Sequence, residues 1–165
     1  MGMGEPVIRS ATEADLPLLC ALLEQLAADD ASVSTKASQT LPPALPAEPG
    51  QGVRRAFDDL RARPDVQVLA LEEGGRVLGM AVFALLPSLA GGGRPRALID
   101  EVVVDRAFRG RGHGERLVRH CIALARARGV RKLQLTTNVR RAAAHRFYER
   151  LGFEATHRGY SILFE

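Results

Sequence analysis

The stretch Val102 to Leu117, VVVDRAFRGRGHGERL, limits what this chain can fold into more than any other. Three successive valines favour extended backbone, because β-branched side chains are stiff at χ1 and an uninterrupted apolar run suits a strand covered on both faces. Gly110, Gly112 and Gly114 then allow backbone angles that a Cβ would oppose. Beyond them Leu117, Cys121 and Leu124, with Val118, Ile122 and Ala125 alongside, form a helical apolar stripe that Gly129 ends. A strand therefore runs through a glycine turn straight into an amphipathic helix, and that geometry favours an anion. The first N–H groups of a helix have no partner within it, and the helix dipole adds positive charge at the same end. Main-chain groups of Gly110 to Glu115, His113 included, can thus meet phosphate oxygens at close range, while Arg109 and Arg111 add charge-assisted hydrogen bonds.

Three kinds of phosphate turn must be separated. A nucleotide P-loop requires Gly-Lys followed by Ser or Thr, which is missing. A dinucleotide fingerprint requires a third glycine where Glu115 stands and an acid after the next strand, where Thr136-Thr137-Asn138 stands. What is left is Arg-x-x-Gly-x-Gly between a valine-rich strand and a helix.

The rest of the chain supplies a frame for that unit. Val7 to Arg9 reads as a short strand, and Thr12 with Asp15 three residues on forms a capping box before Leu16, Leu19, Leu22, Leu23 and Leu26 at helical spacing. Ala27 to Gly52, with four prolines, reads as a long loop. Val53 to Arg63 predicts a helix stopped by Pro64. Val66 to Glu72, Gly74-Gly75 and Arg76 to Leu86 predict an antiparallel hairpin, and Pro87 to Arg96 a loop. Strands over Ala97 to Val104, Val130 to Thr136 and Ser161 to Phe164, and a helix over Arg140 to Leu151, complete an α/β or α+β pattern around a mixed sheet.

With 165 residues the chain suits one domain, 1–165, and its 46% apolar and 25% charged residues are ordinary for a folded, soluble one. No apolar run is long enough for a membrane helix, so the expected location is the cytoplasm. Cys20 and Cys121 lie in helical apolar patterns without metal-ligand neighbours, so buried reduced thiols and no metal are expected. The net charge of +4 fits a phosphorylated cofactor; no aromatic residues interleave the arginines, which points away from single-stranded nucleic acid.

Three segments resemble the GNAT superfamily of acetyl-CoA-dependent N-acetyltransferases, in that family's order: VIRSATEADLPLL its first strand and helix, PRALIDEVVVDRAFRGRG its fourth strand and pyrophosphate loop, and AHRFYERLGF its last helix. Mainly the 27–52 region is left over. The resemblance implies a single GNAT-like domain with six to seven strands, mostly antiparallel, and about four helices. It also implies a sheet splayed between the fourth and fifth strands, with acetyl-CoA lying in the opening and no metal. It implies direct acetyl transfer to a primary amine of a small molecule or peptide, and it allows a homodimer. A polyamine acceptor is disfavoured, since the acceptor loops are not notably acidic. The alternative is a non-catalytic acyl-CoA-binding regulator.

Site residues follow from the same resemblance. Backbone groups of Val102, Val103 and Val104 would pair with the pantetheine arm, and Phe147 would lie beside the cofactor. An amine with a pKa near 10 must lose a proton before it attacks, and Asp100 or Glu101, adjacent on the fourth strand and expected on opposite faces, is the candidate base. Tyr148 is the candidate acid for the departing thiolate; a core tyrosine with a satisfied hydroxyl is its rival reading. Asn138 comes three residues earlier than the asparagine many relatives use on pantetheine, and Arg141 takes that place, able to reach a phosphate or to stay an exposed helix-start arginine. His145 and His157 are titratable but more often structural in such settings.

Overall fold

A computed structural model describes residues 5–33, 49–162 and 164. In chain order the elements are β1 (Val7–Ser10), α1 (Leu16–Val33), α2 (Gln51–Ala62), β2 (Val66–Glu73), β3 (Arg76–Leu86), β4 (Arg96–Val104), α3 (His113–Ala127), β5 (Lys132–Gln134) and α4 (Ala142–Arg150). The five strands form one mixed sheet in the order β1-β2-β3-β4-β5, antiparallel up to β4 and parallel between β4 and β5.

Thr12 and Asp15 do mark a helix start. The Asp15 carboxylate accepts the Thr12 N–H at 2.7 Å and its hydroxyl at 3.0 Å, closing a short 3-10 turn that runs into α1. Arg9 on β1 grips the same carboxylate at 2.7 and 2.9 Å and reaches Glu72 on β2 at 2.7 Å, tying three elements together. The guanidinium overrides the effect of burial and holds the Asp15 carboxyl at about 2.

Alternation along the strands divides the core between the two sheet faces. Val68 and Ala70 join Leu16, Leu19, Cys20 and Phe57 under α1 and α2. Leu69 and Leu71 join Ile99, Leu117, Val118 and Cys121 under α3. Gly79 lets α3 come close: a Cβ there would lie 2.9 Å from the Val103 carbonyl oxygen and 3.2 Å from Leu117 Cδ1.

β4 carries a one-residue bulge. Met80 pairs with Val103 but Val82 with Asp100, so Ala81 opposes both Glu101 and Val102. Glu101 takes φ 50°, the one positive φ among the described non-glycine residues. The extra residue resets the alternation, sending Val103 to the α1 face and Val102 and Val104 to the α3 face.

Several expectations need correction. The 27–52 loop is helical through Val33, because Ala27, Ala28 and Ala31 are strong helix formers with no glycine or proline among them. Residues 34–48 of that expected loop lie outside the described residues, and α2 already starts at Gln51. The sheet has five strands among the described residues instead of six to seven. β5 is confined to Lys132–Gln134, and of the strand expected over Ser161 to Phe164 the described residues Ser161, Ile162 and Phe164 are not in a strand, while residue 163 lies outside the described residues. α4 starts at Ala142 because Asn138 spends the preceding residues in a turn: its Oδ1 accepts the Arg140 N–H and its carbonyl the Arg141 N–H, each at 3.0 Å.

Candidate active site

The glycine turn sits where β4 meets α3. Gly110 and Gly112 have φ of 76° and 83°, and a Cβ on either would meet nothing within 4 Å, so their role is conformational and the space above the turn is open. Gly112 is the N-cap of α3, and the first α-helical hydrogen bond of α3 runs from the Arg116 N–H to the Gly112 carbonyl at 3.0 Å. The N–H groups of His113, Gly114 and Glu115 therefore lie ahead of the helical ladder. The turn is held from below. Arg109 donates to the Val104 carbonyl at 2.9 Å and pairs with Asp29 at 2.9 Å, while Arg106 reaches the other Asp29 oxygen at 2.6 Å. Arg111 is exposed and stacks over Phe108 at 5.2 Å. Glu115 turns outward to Arg119 at 2.7 Å, so only its main chain faces the turn. His113 points inward instead: its side chain is 5% exposed, with Nε2 lying 4.0 Å from a Glu73 oxygen.

Beyond Leu98, β4 and β5 part. They pair only over Arg96–Leu98 and Lys132–Gln134, leaving Ile99 to Val104 with β3 on one side and no strand on the other among the described residues. A cleft of about 1870 Å³ occupies the opening, and Asp100, Glu101, Val102, Asn138, Arg141 and Tyr148 share its wall. Val103, Val104, Phe147 and the turn residues are not on that wall. Phe147 instead links cleft and turn, since a Cβ on Gly114 would touch its ring at 3.6 Å and Val104 at 3.9 Å.

The two acids differ in setting. Asp100 is exposed, and its Oδ1 accepts the Glu101 N–H at 2.9 Å, a bond that the positive φ of Glu101 accompanies. Glu101 is half-buried, and burial, helped by the charge of Asp100, pushes its carboxyl above the usual carboxylate range. Tyr148 stands edge-on between Phe147 and Phe153, with ring centres 5.0 and 5.8 Å away. Burial raises its phenol pKa, and Arg141 opposes the rise. The site thus offers a carboxyl that holds its proton more tightly than an ordinary one, and a phenol that does the same.

The remaining candidates are placed plainly by their contacts. Arg141 is half-buried and 3.4 Å from Asp30. His145 Nε2 donates to the Asn138 carbonyl at 2.9 Å, which makes it a brace for the turn before α4. Cys121 is fully buried, with burial pushing its thiol up to about 12, and is no nucleophile. Among the described residues no group of three His, Cys, Asp or Glu could hold a metal, and no helix is long and apolar enough to cross a membrane. Asp29 and Asp30 escaped the sequence reading because α1 was expected to end before them; the alanines around them were the available signal. Thr137 also escaped it: its hydroxyl is buried on the cleft wall with no hydrogen-bond partner among the described residues, and only its place at a strand end hinted at a role.

Residues 35–153 match the model of the acetyltransferase (GNAT) family. A glucosamine 6-phosphate N-acetyltransferase of Trypanosoma brucei brucei is 34% identical over 115 residues, covering 68% of this chain and 76% of that protein. A Bacillus halodurans C-125 structure described as a transcriptional regulator superposes with a TM-score of 0.84 at 32% identity, covering 97% of this chain and all of that one. AAC(6')-Iy, solved with the bisubstrate analogue CoA-S-monomethyl-acetylneamine, has a TM-score of 0.73 at 17% identity and covers 98% of this chain and 99% of its own; at that identity it speaks for the fold alone.

Proposed function

The chain belongs to the GNAT acetyltransferase family, and from that premise we propose that it transfers an acetyl group from acetyl-CoA directly to a primary amine, acting as one domain over 1–165. One observation carries the cofactor reading: a left-handed glycine turn leaves the first amides of α3 bare, at the end of a cleft where β4 and β5 part. The diphosphate of coenzyme A fits that turn, with Gly110, Gly112, Gly114 and the main chain of His113 and Glu115 around it and Arg109 and Arg111 at its flanks. The edge of β4 from Val102 to Val104, where β5 no longer pairs, suits the amide groups of pantetheine, with the Val104 carbonyl already held by Arg109. The buried Thr137 hydroxyl, Asn138 or Arg141 can meet that arm from across the cleft, and Phe147 packs where arm and turn meet.

In the reaction the amine nitrogen forms a bond to the thioester carbonyl carbon, and the carbon–sulfur bond breaks. Glu101, through water, takes the amine proton, because its raised pKa makes it a better base near neutrality than an ordinary carboxylate. Asp100 fixes the bulge that presents it. Tyr148 gives its phenolic proton to the departing thiolate and is restored from solvent. No covalent enzyme intermediate is needed.

The acceptor is read as a small amine that also carries an anionic group. Arg96, Arg131 and Arg158 are exposed along the cleft, and the trypanosomal relative is named for an amino sugar phosphate. Release of free thiol from acetyl-CoA, assayed against amino sugars and their phosphates, amino acids, polyamines and peptide N-termini, tests the reading, with Tyr148→Phe as control. Turnover with a phosphorylated or carboxylated amine supports it. Thiol release at background for every amine, despite tight acetyl-CoA binding, would favour a regulatory acyl-CoA-binding role instead.

A further inference from the structure

The end of α1 is fixed against the glycine turn. Gln25 Oε1 accepts the Arg106 N–H at 2.9 Å, and Asp29, one helical turn on, grips Arg106 and Arg109 at 2.6 and 2.9 Å. Burial works against a charge on Asp29, yet the two guanidinium groups hold its carboxyl below the ordinary range, so the grip is ionic at neutral pH. Leu26 and Asp30 occupy the neighbouring stripe of the helix and turn to the cleft instead. There Asp30 Oδ1 accepts from Arg141 at 3.4 Å.

Arg141 comes from the opposite side. At the start of α4 its N–H donates to the Asn138 carbonyl and its own carbonyl accepts the His145 N–H, each at 3.0 Å. α4 packs with α3 on the second sheet face through Phe147, Tyr148 and Leu151, whereas Leu26 belongs to the α1 face. The Asp30–Arg141 pair therefore joins the two faces across the gap that opens beyond Leu98, where β4 and β5 no longer pair. With the main chain anchored at both ends, what the pair fixes is the path of the Arg141 side chain. The side chains of Arg141 and Asp30 are 28% and 40% exposed, and a pair so wetted adds little to stability. Its contribution is orientation.

Tyr148 follows Arg141 by about two turns of helix, and both line the cleft. Its phenol is governed first by burial, then by the Arg141 charge, which favours the phenolate, and by Asp100 and Cys121, which oppose it. Where Arg141 points thus decides how readily the phenol gives up its proton.

We propose that Asp30 is a positioning residue for Tyr148, holding the Arg141 guanidinium across the gap between β4 and β5 on the side of the phenol that donates to the departing thiolate. The catalytic consequence rests on the acetyl-transfer reading; the placement of Arg141 does not.

Ultraviolet titration of the ligand-free protein reads that placement. The chain has two tyrosines, so Tyr160→Phe leaves Tyr148 as the single phenol that titrates. In this background Asp30→Asn should move the titration to higher pH, as Arg141→Gln does, and the double variant should go no further than Arg141→Gln alone. Asp30→Glu should restore the original titration. Loss of a negative charge with Arg141 still in place would shift the phenol to lower pH, so the sign separates release of the guanidinium from a change of field. A downward shift, no shift, or additive shifts in the double variant overturns the proposal. Should alkali unfold the protein first, nitrogen-15 spectra near neutral pH replace the titration: an Arg141 held by Asp30 gives separate Nη signals that merge in Asp30→Asn, and signals alike in both proteins overturn the proposal as well. An upward shift beside a fully active Tyr148→Phe would sink the acid reading and keep the placement of Arg141. An unshifted titration beside an inactive Tyr148→Phe would do the reverse.

Discussion

Replacing Gly112 by alanine separates conformation from contact at the proposed cofactor turn. Gly112 holds φ 83° and ψ −1°, and an added Cβ meets nothing within 4 Å. The folded protein therefore loses only what the left-handed backbone costs a residue with a Cβ, about 1–2 kcal/mol. For a chain of this size each kcal/mol lowers Tm by about 2–4 °C, so a fall of about 2–8 °C is expected. Binding should suffer more. The methyl projects into the open space over the turn, where it obstructs the diphosphate, and one lost charge-assisted hydrogen bond is worth about 1.5–3 kcal/mol, a factor of about 10 to 100 in Kd. Acetyl-CoA at about 100 times the wild-type Kd stabilises the unaltered fold by about 2.7 kcal/mol, a gain that falls to about 0.4 kcal/mol if the variant binds 100-fold more weakly. Titration calorimetry and thermal melts with and without ligand read both quantities. Gly79→Ala is the contrast: its Cβ lands 2.9 Å from the Val103 carbonyl oxygen, so overpacking costs about 1–3 kcal/mol while the folded fraction keeps its affinity. Wild-type affinity in Gly112→Ala, or equal losses of affinity in both variants, would refute the reasoning.

Three further outcomes follow from the site and its supports. Tyr148→Phe should lower kcat by about 100-fold or more while leaving the Kd for acetyl-CoA unchanged; an unchanged kcat would return Tyr148 to the core. Because burial raises the Glu101 carboxyl, kcat/KM should climb with pH through a limb lying above the ordinary carboxylate range, and Glu101→Gln should abolish that limb; a limb that survives assigns the base elsewhere. Asp15 titrates at about 2 in the folded protein against 3.8 ordinarily, so its contribution is complete above pH 3.8 and is lost as pH falls toward 2. Asp15→Asn should therefore cost about 2 kcal/mol in denaturant unfolding at pH 7 and little at pH 2, and an equal cost at both values would contradict the ion pair with Arg9.

The elements legible in the sequence were those with a local cause. Thr12 and Asp15, the Gly74-Gly75 hairpin turn and the passage from Val104 through Gly112 into α3 are set by side chains within a few residues of one another, and the structure places them as read. Pairwise facts between distant segments were not legible. The bulge at Glu101 depends on the register of β3 against β4, so the reading that alternation sends Asp100 and Glu101 to opposite faces missed it, and both acids line the cleft. The inward turn of His113 toward Glu73 needs the β2–β3 hairpin beside α3. The terminal strand illustrates the opposite failure, since Tyr160 and Ile162 carry a strand's alternation but pair with no strand among the described residues. For the cleft, the types of acid and phenol could be read from sequence, but their unequal burial, which separates Glu101 from Asp100, comes only from packing.

The account turns on the amides at the start of α3. Backbone ¹H–¹⁵N spectra recorded while coenzyme A is added should move the His113, Gly114 and Glu115 signals downfield, together with those of Gly110 and Gly112, as their N–H groups meet the diphosphate. Saturation by coenzyme A with these five signals unmoved, and shifts confined to other parts of the chain, would contradict it.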